Sequence, residues 1–194
     1  MPVQMSLKAI LYRGPELDPA AALLDRLPTA LVTLLDQING FVQFQGGLHV
    51  RGVCPTPLWH SLEQIMSGDY ALYRLFPAVR PCDVPFGQDC RGNQFVLREG
   101  TVWRLSVATV EMHSLGMGLT AFIAAVQDDP VAYLSLDALL EYLADHSLAL
   151  NFGEVLVPEA EPLSGRARLA PRPVYEALLA QSGGVGGGRE SVRA

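Results

Sequence analysis

The feature that most constrains the fold is a pair of glycine-containing hairpin signals in the middle of the chain. Each signal is a short turn between two runs of strand-forming residues: 41–45, Gly46-Gly47 and 48–53 in the first, and 94–98, Glu99-Gly100 and 101–107 in the second. Short glycine turns between such runs are typical of antiparallel hairpins. Helical patterns flank both signals, so the sequence predicts an α+β fold with a mostly antiparallel sheet flanked by helices.

Apolar residues at helical spacing predict those helices. Leu31, Leu34, Leu35 and Ile38 fall at i, i+3, i+4 and i+7, and Asn39-Gly40 follows as a stop signal. Similar patterns predict further helices, some with a capping residue or proline at the start: 20–27 after Asp18, 58–66, 119–126, 136–143 after Ser135, and 173–180.

The remaining segments are predicted to be strands or loops. Residues 7–12 and 148–157 read as single strands, and 158–172 as a loop rich in proline and charge. Pro81 and Pro85 restrict the segment 79–87 to an edge strand or an irregular strand, because proline cannot donate a ladder hydrogen bond. Asp89 to Asn93 is predicted to form a turn in which the side chains bond their own backbone.

We divide the chain into four parts on these patterns. Residues 1–26 form an N-terminal strand and helix, 27–134 form the core, 135–182 form a C-terminal extension of helix and strand, and 183–194 form a flexible glycine-rich tail. The 194 residues are enough for one ordinary domain with an appendage.

The distribution of charge favours some partners over others. The net charge of −6 disfavours a nucleic-acid-binding surface. The segment from Leu105 to Gly165 carries nine acidic residues and no lysine or arginine, so it holds all of the excess negative charge. Such a segment would attract a basic partner if its acids share a face, but it would equally well act as a solvated surface that keeps the protein soluble.

The chain contains no signal for a membrane or for export. No run of residues reaches the ~20 apolar positions that a membrane-spanning helix needs. The N-terminus lacks a basic segment followed by an apolar one, which a secretion signal would show. We therefore expect a cytoplasmic protein with no membrane partner.

Catalytic and metal-binding patterns are not visible in the sequence. The cysteines, Cys54, Cys82 and Cys90, form no paired motif, and zinc would need them together with one of the four histidines, His49, His60, His113 and His146. Phosphate-binding and serine-hydrolase motifs are missing as well. We expect no cofactor, no metal and no catalytic residue. An unrecognised enzyme that pairs Cys54 or Cys90 with His113 is kept as an alternative.

The two tryptophans have different expected roles. Trp103 alternates with apolar residues on a predicted strand and is expected in the core. Trp59 opens a predicted helix, where it either covers the sheet or acts as an exposed binding anchor.

The order of several short motifs resembles the SUKH superfamily, the domain shared by a fungal cell-wall regulator and many bacterial immunity proteins. The resemblance spans residues 27–133 and rests on these segments: the proline-led helix ending in Asn39-Gly40, SLE at 61–63, VPFGQDCRGNQFVL at 84–97, EGTVW at 99–103 and LTAFIAAV at 119–126. Each segment matches a turn or packing pattern of the family, and the N-terminal and C-terminal parts lie outside the match.

This resemblance implies a non-catalytic protein-binding module. Bacterial members neutralise toxins, often nucleases, by direct contact, and nucleases tend to be basic because they bind phosphates. We therefore expect an immunity protein against a basic toxin, with a regulatory or scaffold protein of the same fold as the alternative. On charge and expected exposure, the candidate contact residues are Asp83, Asp89, Glu111, Asp128 and Asp129.

Overall fold

The computed structural model describes residues 7–146, 149–160 and 167–183. Within these ranges the chain forms an α+β fold with a seven-stranded antiparallel sheet, a second sheet of two strands, and helices around them. The strands are β1 Ile10–Arg13, β2 Phe41–Gln43, β3 Leu48–Val50, β4 Val84–Asp89, β5 Gln94–Arg98, β6 Thr101–Leu105, β7 Met112–Ser114, β8 Glu154–Ala160 and β9 Ala167–Pro173. The α-helices are α1 Thr29–Gln37, α2 Leu62–Met66, α3 Leu72–Leu75, α4 Leu119–Asp128, α5 Pro130–Tyr133, α6 Leu136–Asp145 and α7 Val174–Gly183.

The large sheet is a meander in which every strand pairs with its neighbours in the sequence, in the order β1 to β7. Both predicted hairpins are confirmed: β2 pairs with β3, and β5 pairs with β6 through five residues of continuous register. Strands β8 and β9 form the separate two-stranded sheet. The predicted α+β class with a mostly antiparallel sheet and a C-terminal extension is therefore confirmed.

The core lies between the large sheet and the apolar faces of its helices. Leu31, Leu34 and Leu35 of α1 are buried as their spacing predicts. In α4, Phe122 is fully buried, and its ring centroid lies 4.8 Å from that of Phe95 on β5. Burial of large apolar side chains is the main stabilising term in a domain of this size.

Of the two alternatives predicted for the segment 79–87, the irregular strand is confirmed and the edge strand is not. Strand β4 lies at the centre of the sheet, between β3 and β5. The expected irregularity is present, because the register with β5 shifts between Val84 and Gly87. Pro85 lies within this shift, and its carbonyl accepts a hydrogen bond from the side chain of Arg51 instead of taking part in a regular ladder.

Two helix predictions were too long. The segment 20–27 forms only one 3₁₀ turn, Leu24–Arg26, and the Oδ1 of Asp18 accepts from the backbone N–H of Ala20 to make a local turn. A side chain that bonds nearby backbone in this way competes with a helix. The segment 58–66 divides into a 3₁₀ turn, Leu58–His60, and the short helix α2.

The C-terminal extension is more ordered than its composition indicated. The prediction of a loop over 158–172 was wrong for residues 158–160 and 167–172, because β8 and β9 pair residue by residue from Glu154↔Pro173 to Ala160↔Ala167. The part of the predicted loop at 161–166 lies outside the described residues. The predicted helix after Pro173 is confirmed as α7. The strand predicted over 148–157 begins only at Glu154, and residue 148 itself lies outside the described residues. Of the tail predicted over 183–194, Gly183 ends α7 and the rest lies outside the described residues. None of the helices described is both long enough and apolar enough to cross a bilayer.

Truncation of Phe122 to alanine is expected to lower the free energy of unfolding by about 3–5 kcal/mol, because it leaves a cavity beneath the sheet. Urea denaturation followed by circular dichroism would measure the change. Val131→Ala is the control, since Val131 is 64% exposed and its truncation should change stability by no more than about 0.5 kcal/mol. Equal effects of the two substitutions would contradict this location of the core.

Candidate functional site

Asp83 is not available to a partner, which corrects its expected exposure. It is 3% exposed, and Arg98 binds its carboxylate with two nitrogen atoms, Nε at 3.0 Å from Oδ1 and Nη2 at 2.6 Å from Oδ2. The Oδ2 atom also accepts from the backbone N–H of Arg80 at 2.7 Å. This ion pair raises the pKa of Arg98, and it fixes the start of β4 against β5.

Asp89 is also buried, at 1% exposure, and it holds together three parts of the fold. Its Oδ2 accepts hydrogen bonds from Arg104 Nη2 on β6 at 2.8 Å, from the Ser135 hydroxyl at 2.9 Å and from Asn93 Nδ2 at 2.8 Å. Its Oδ1 accepts from the backbone N–H groups of Arg91 and Asn93, which confirms the predicted turn. Ser135 precedes α6 but makes no side-chain capping bond, so the expected cap is replaced by this contact with Asp89.

The other three candidate contact residues are exposed, as expected. Glu111 lies beside His113, with Oε2 3.6 Å from Nε2 and both side chains more than half exposed. Asp129 caps α5, because its Oδ1 accepts from the backbone N–H of Ala132 at 3.1 Å. Asp128 lies at the exposed end of α4.

Helix α6 extends this exposed acidic surface in a way the sequence analysis did not single out. Asp137, Glu141 and Asp145 are exposed and spaced four residues apart, so they follow one side of the helix. The opposite side is buried. We define the acidic face as these three residues together with Asp128 and Asp129. Among the described residues, none of the five forms an ion pair within 4 Å.

Two large apolar side chains accompany the acidic face. Leu140 on α6 is 63% exposed and Val131 on α5 is 64% exposed. Helix α5 contacts both α4 and α6, so these segments are neighbours in the fold. Like charges four residues apart destabilise a helix by about 0.2–0.5 kcal/mol per pair. The acidic row on α6 therefore reduces the stability of its own helix.

A buried pair of histidines joins β3, which carries His49, to the 3₁₀ turn that ends at His60. His49 Nε2 is 2.9 Å from His60 Nδ1, and His60 Nε2 is 3.1 Å from the carbonyl oxygen of Asn39. A carbonyl can only accept, so His60 donates through Nε2 and accepts from His49 at Nδ1. Burial lowers the pKa of His60 to about 4 and that of His49 well below its usual value, so both rings are neutral at pH 7.

Two glycines leave room for the His60 ring. A Cβ on Gly40 would lie 2.6 Å from His60 Nε2, and one on Gly52 would lie 2.8 Å from the same atom. Gly40 also has a φ of +76°, so it serves both as the helix stop that the sequence predicted and as space for the ring. The histidine pair is therefore part of the packed interior.

Arg51 is a buried cation that the sequence analysis missed. Its side chain is fully buried and donates to the carbonyl of Pro85 and to the side-chain oxygens of Gln88 and Gln94. Burial lowers its pKa to about 10, so it stays charged at neutral pH. His49, Gln88 and Gln94 occupy paired positions across β3, β4 and β5, so they face the same side of the sheet. Polar residues at alternate strand positions are typical of a solvated face, and here that face is covered.

Cys54 and Cys90, the two thiols of the alternative Cys–His site, lie in surroundings that favour the protonated form. Burial raises the pKa of Cys54 to about 11 and that of Cys90 to about 12, so both are protonated at pH 7. Cys90 Sγ donates to the carbonyl of Ser135 at 3.1 Å. Cys82 is exposed. Among the described residues, no group of three or more potential metal ligands is present.

The tryptophans are only partly buried. Trp103 packs against the core on β6, where the guanidinium carbon of Arg98 lies 5.1 Å from its ring centroid. Trp103 therefore lies against the core and is only partly buried, which corrects its expected position within the core. Trp59 joins a cluster of rings that comes from distant parts of the sequence, with centroids of Tyr12 and Phe152 at 5.0 and 6.1 Å.

Comparisons with known proteins identify a shared fold. No family model and no curated protein matches the chain. The crystal structure of Atu4351 from Agrobacterium tumefaciens matches with a TM-score of 0.57 and 14% identity, over 89% of this chain and 85% of that chain. At this identity the likeness concerns the fold alone. Because 89% exceeds the share of the chain within 27–134, the common fold includes part of the segments outside the predicted core.

Asp89→Ala is expected to lower the free energy of unfolding by about 3 kcal/mol, because it leaves Arg104 and the turn amides without their acceptor. Denaturant titration measures the loss, and hydrogen exchange should show faster exchange in α6, which Ser135 joins to Asp89. Asp128→Ala is the matched control, with a change within about 0.5 kcal/mol. Unchanged exchange in α6 would contradict the connecting role of Asp89.

Acidification is expected to destabilise the fold through His60. Histidine in an unfolded chain titrates near pH 6.5, whereas the pKa of folded His60 is about 4. The unfolded state therefore binds the proton first as the pH falls, and the free energy of unfolding decreases between these two values. The loss is on the order of 3 kcal/mol. Denaturant titrations at several pH values in this range give the free energy of unfolding as a function of pH. This dependence on pH should be weaker for His60→Gln than for the wild type, and an identical dependence would contradict the assignment.

Proposed function

We propose that this protein is a non-catalytic binding module of the SUKH type that acts in the cytoplasm as an immunity protein against a basic, nuclease-like toxin. The observation that carries the proposal is the acidic face, with its five exposed carboxylates and two exposed apolar side chains. A surface of this composition complements a cationic protein surface that also contains apolar contacts.

The energetics of the acidic face favour a bound state. The repulsion between the carboxylates of α6 is relieved when a cationic surface approaches. The free energy by which this repulsion destabilises the free helix therefore adds to the favourable free energy of binding. Burial of Leu140 and Val131 would add an apolar contribution of about 25 cal/mol per Å² removed from water. Long-range attraction between the net negative chain and a basic toxin would also accelerate their encounter.

The motif order supports the same proposal. Along the chain, the proline-led helix is followed by the strand–turn–strand around Asp89, the β5–β6 hairpin and the helix that carries Phe122. This is the order of segments on which the resemblance to the SUKH superfamily rests. The alternative, a regulatory or scaffold protein of this fold with an endogenous partner, would use the same face. The identity of the bound partner, a toxin or an endogenous protein, distinguishes the immunity function from the regulatory or scaffold function.

Charge reversal on α6 tests the proposal. Affinity capture from the source cells at low salt should recover a basic protein, and binding of that purified protein should then be measured by calorimetry. Asp137→Lys/Glu141→Lys should weaken binding at least tenfold, because each substitution replaces attraction with repulsion. Raising the salt concentration should weaken the wild-type complex as well.

The control carries the same change of charge elsewhere. Asp25→Lys/Asp36→Lys reverses two exposed acids outside the acidic face and should leave affinity within about twofold. A toxicity assay, in which the wild type but not the α6 variant protects cells from the partner, would support the immunity role. Recovery of a neutral housekeeping protein, or equal affinities for the two variants, would overturn it.

A further inference from the structure

A cleft formed by three distant segments of the chain has the composition of a cation-binding site. It has a volume of about 360 Å³ and is lined by residues from 59–70, 151–154 and 173–176. We call it the aromatic cleft, and its main lining side chains are Trp59, Tyr70, Phe152, Tyr175, Glu154 and Glu176. The volume falls within the range of ordinary ligand sites.

The aromatic rings of the cleft are held in place by packing and hydrogen bonds. Tyr70 and Tyr175 stack in parallel, with centroids 4.0 Å apart and planes 1° apart. The Tyr175 hydroxyl donates to the carbonyl of Leu58 at 2.7 Å, which ties α7 to the turn that carries Trp59. Trp59 and Phe152 are also stacked, at 29° between planes. Their positions are set before any ligand arrives, which reduces the entropy lost on binding.

Gly153 brings Phe152 onto Trp59. It has a φ of +85°, and a Cβ at this position would lie 2.6 Å from the Trp59 ring. Its carbonyl accepts from the backbone N–H of Val174, so the same residue also joins the segment to α7. Phe152 nevertheless remains 48% exposed, which leaves a large ring facing solvent at the cleft.

The charge of the cleft is negative. Glu154 is oriented by Asn151, whose backbone N–H and Nδ2 donate to Oε2 at 3.2 and 3.0 Å. Glu176 lies exposed at the start of α7 and makes no ion pair within the described part of the chain. No lysine or arginine lines the cleft. Ring faces and carboxylates both attract cations, and both repel phosphate groups.

We propose that the aromatic cleft binds the guanidinium group of an arginine side chain presented by a partner protein. A guanidinium is planar and weakly hydrated, so it stacks on aromatic faces while it donates to carboxylates. The compact ammonium of lysine is more strongly hydrated and cannot stack in this way. This inference rests on the proposed function in that it supplies a basic partner with a specific anchor, at a place separate from the acidic face.

Nuclear magnetic resonance provides a direct test with N-acetyl-arginine amide as the probe. The indole N–H signals of the two tryptophans are followed, with Trp103 as the internal reference because it lies on β6, outside the cleft lining. The Trp59 signal should shift on titration and saturate, while the Trp103 signal stays in place. N-acetyl-citrulline amide, which is nearly isosteric and neutral, should cause less than a fifth of that shift.

Variants assign the site to the named residues. Glu176→Gln should weaken arginine-amide binding at least threefold, and Phe152→Ala, which removes an exposed ring, should do the same. Glu111→Gln is the control, since Glu111 is exposed elsewhere, and it should leave binding unchanged. Equal binding of the citrulline or lysine amide, or no shift of Trp59 at tens of millimolar arginine amide, would overturn the proposal.

The outcome is separable from that of the proposed function. Asp137→Lys/Glu141→Lys should retain arginine-amide binding, because neither residue lines the cleft. If arginine amide binds while the α6 variant keeps full affinity for the captured protein, the immunity proposal fails and the cleft assignment stands. If the α6 variant loses affinity for the captured protein while the Trp59 signal does not respond to arginine amide, the immunity proposal stands and the cleft assignment fails.

Discussion

The buried carboxylate of Asp89 is the interaction on which the arrangement of the C-terminal extension depends. It satisfies the amides of the β4–β5 turn, neutralises Arg104 on β6 and accepts from Ser135 at the start of α6. Cys90 adds two links at the same place, since its carbonyl accepts from the backbone N–H of Leu156 and its thiol donates to the carbonyl of Ser135. A removed carboxylate would leave several buried donors without an acceptor, so the turn, the sheet and the extension are energetically coupled.

The extension explains why polar side chains can occupy one face of the sheet. His49, Arg51, Gln88 and Gln94 are polar, yet all four are buried beneath covering elements. Arg51 donates to Gln88, to Gln94 and to a backbone carbonyl, and His49 bonds to the buried His60 ring. The segment 150–154 lies against His49 and Gln88 and leaves a space of only about 20 Å³, roughly that of one water molecule. Burial keeps the histidines neutral and leaves Arg51 as a charged group within the fold.

Two surfaces result from this arrangement, and both depend on the extension. The acidic face follows from helices α4 to α6, whereas the aromatic cleft needs α7 and the segment around Gly153 to meet the turn at Trp59. Both proposals describe a basic partner protein: its overall positive charge would be attracted to the acidic face, and one of its arginine side chains would bind in the aromatic cleft. The likeness to the Agrobacterium tumefaciens structure extends over 89% of the chain, so the extension belongs in part to a fold shared with another protein.

Patterns among neighbouring residues were enough to predict several elements of the fold. Glycine turns predicted the hairpins, apolar spacing predicted α1 and α4, and proline patterns predicted the irregularity of β4, because each depends on neighbouring residues along the chain. The acidic segment was visible as composition, although the four-residue spacing on α6 drew no separate prediction. Which acids lie on the surface depends on contacts between elements that are far apart in the sequence. Asp83 and Asp89 have the same chemistry as Asp128, yet the first two are buried and form ion pairs with arginines of other strands. The pairing of β8 with β9, the buried histidine pair and the aromatic cleft also join residues far apart in sequence. Their formation depends on packing between elements, which no local pattern records.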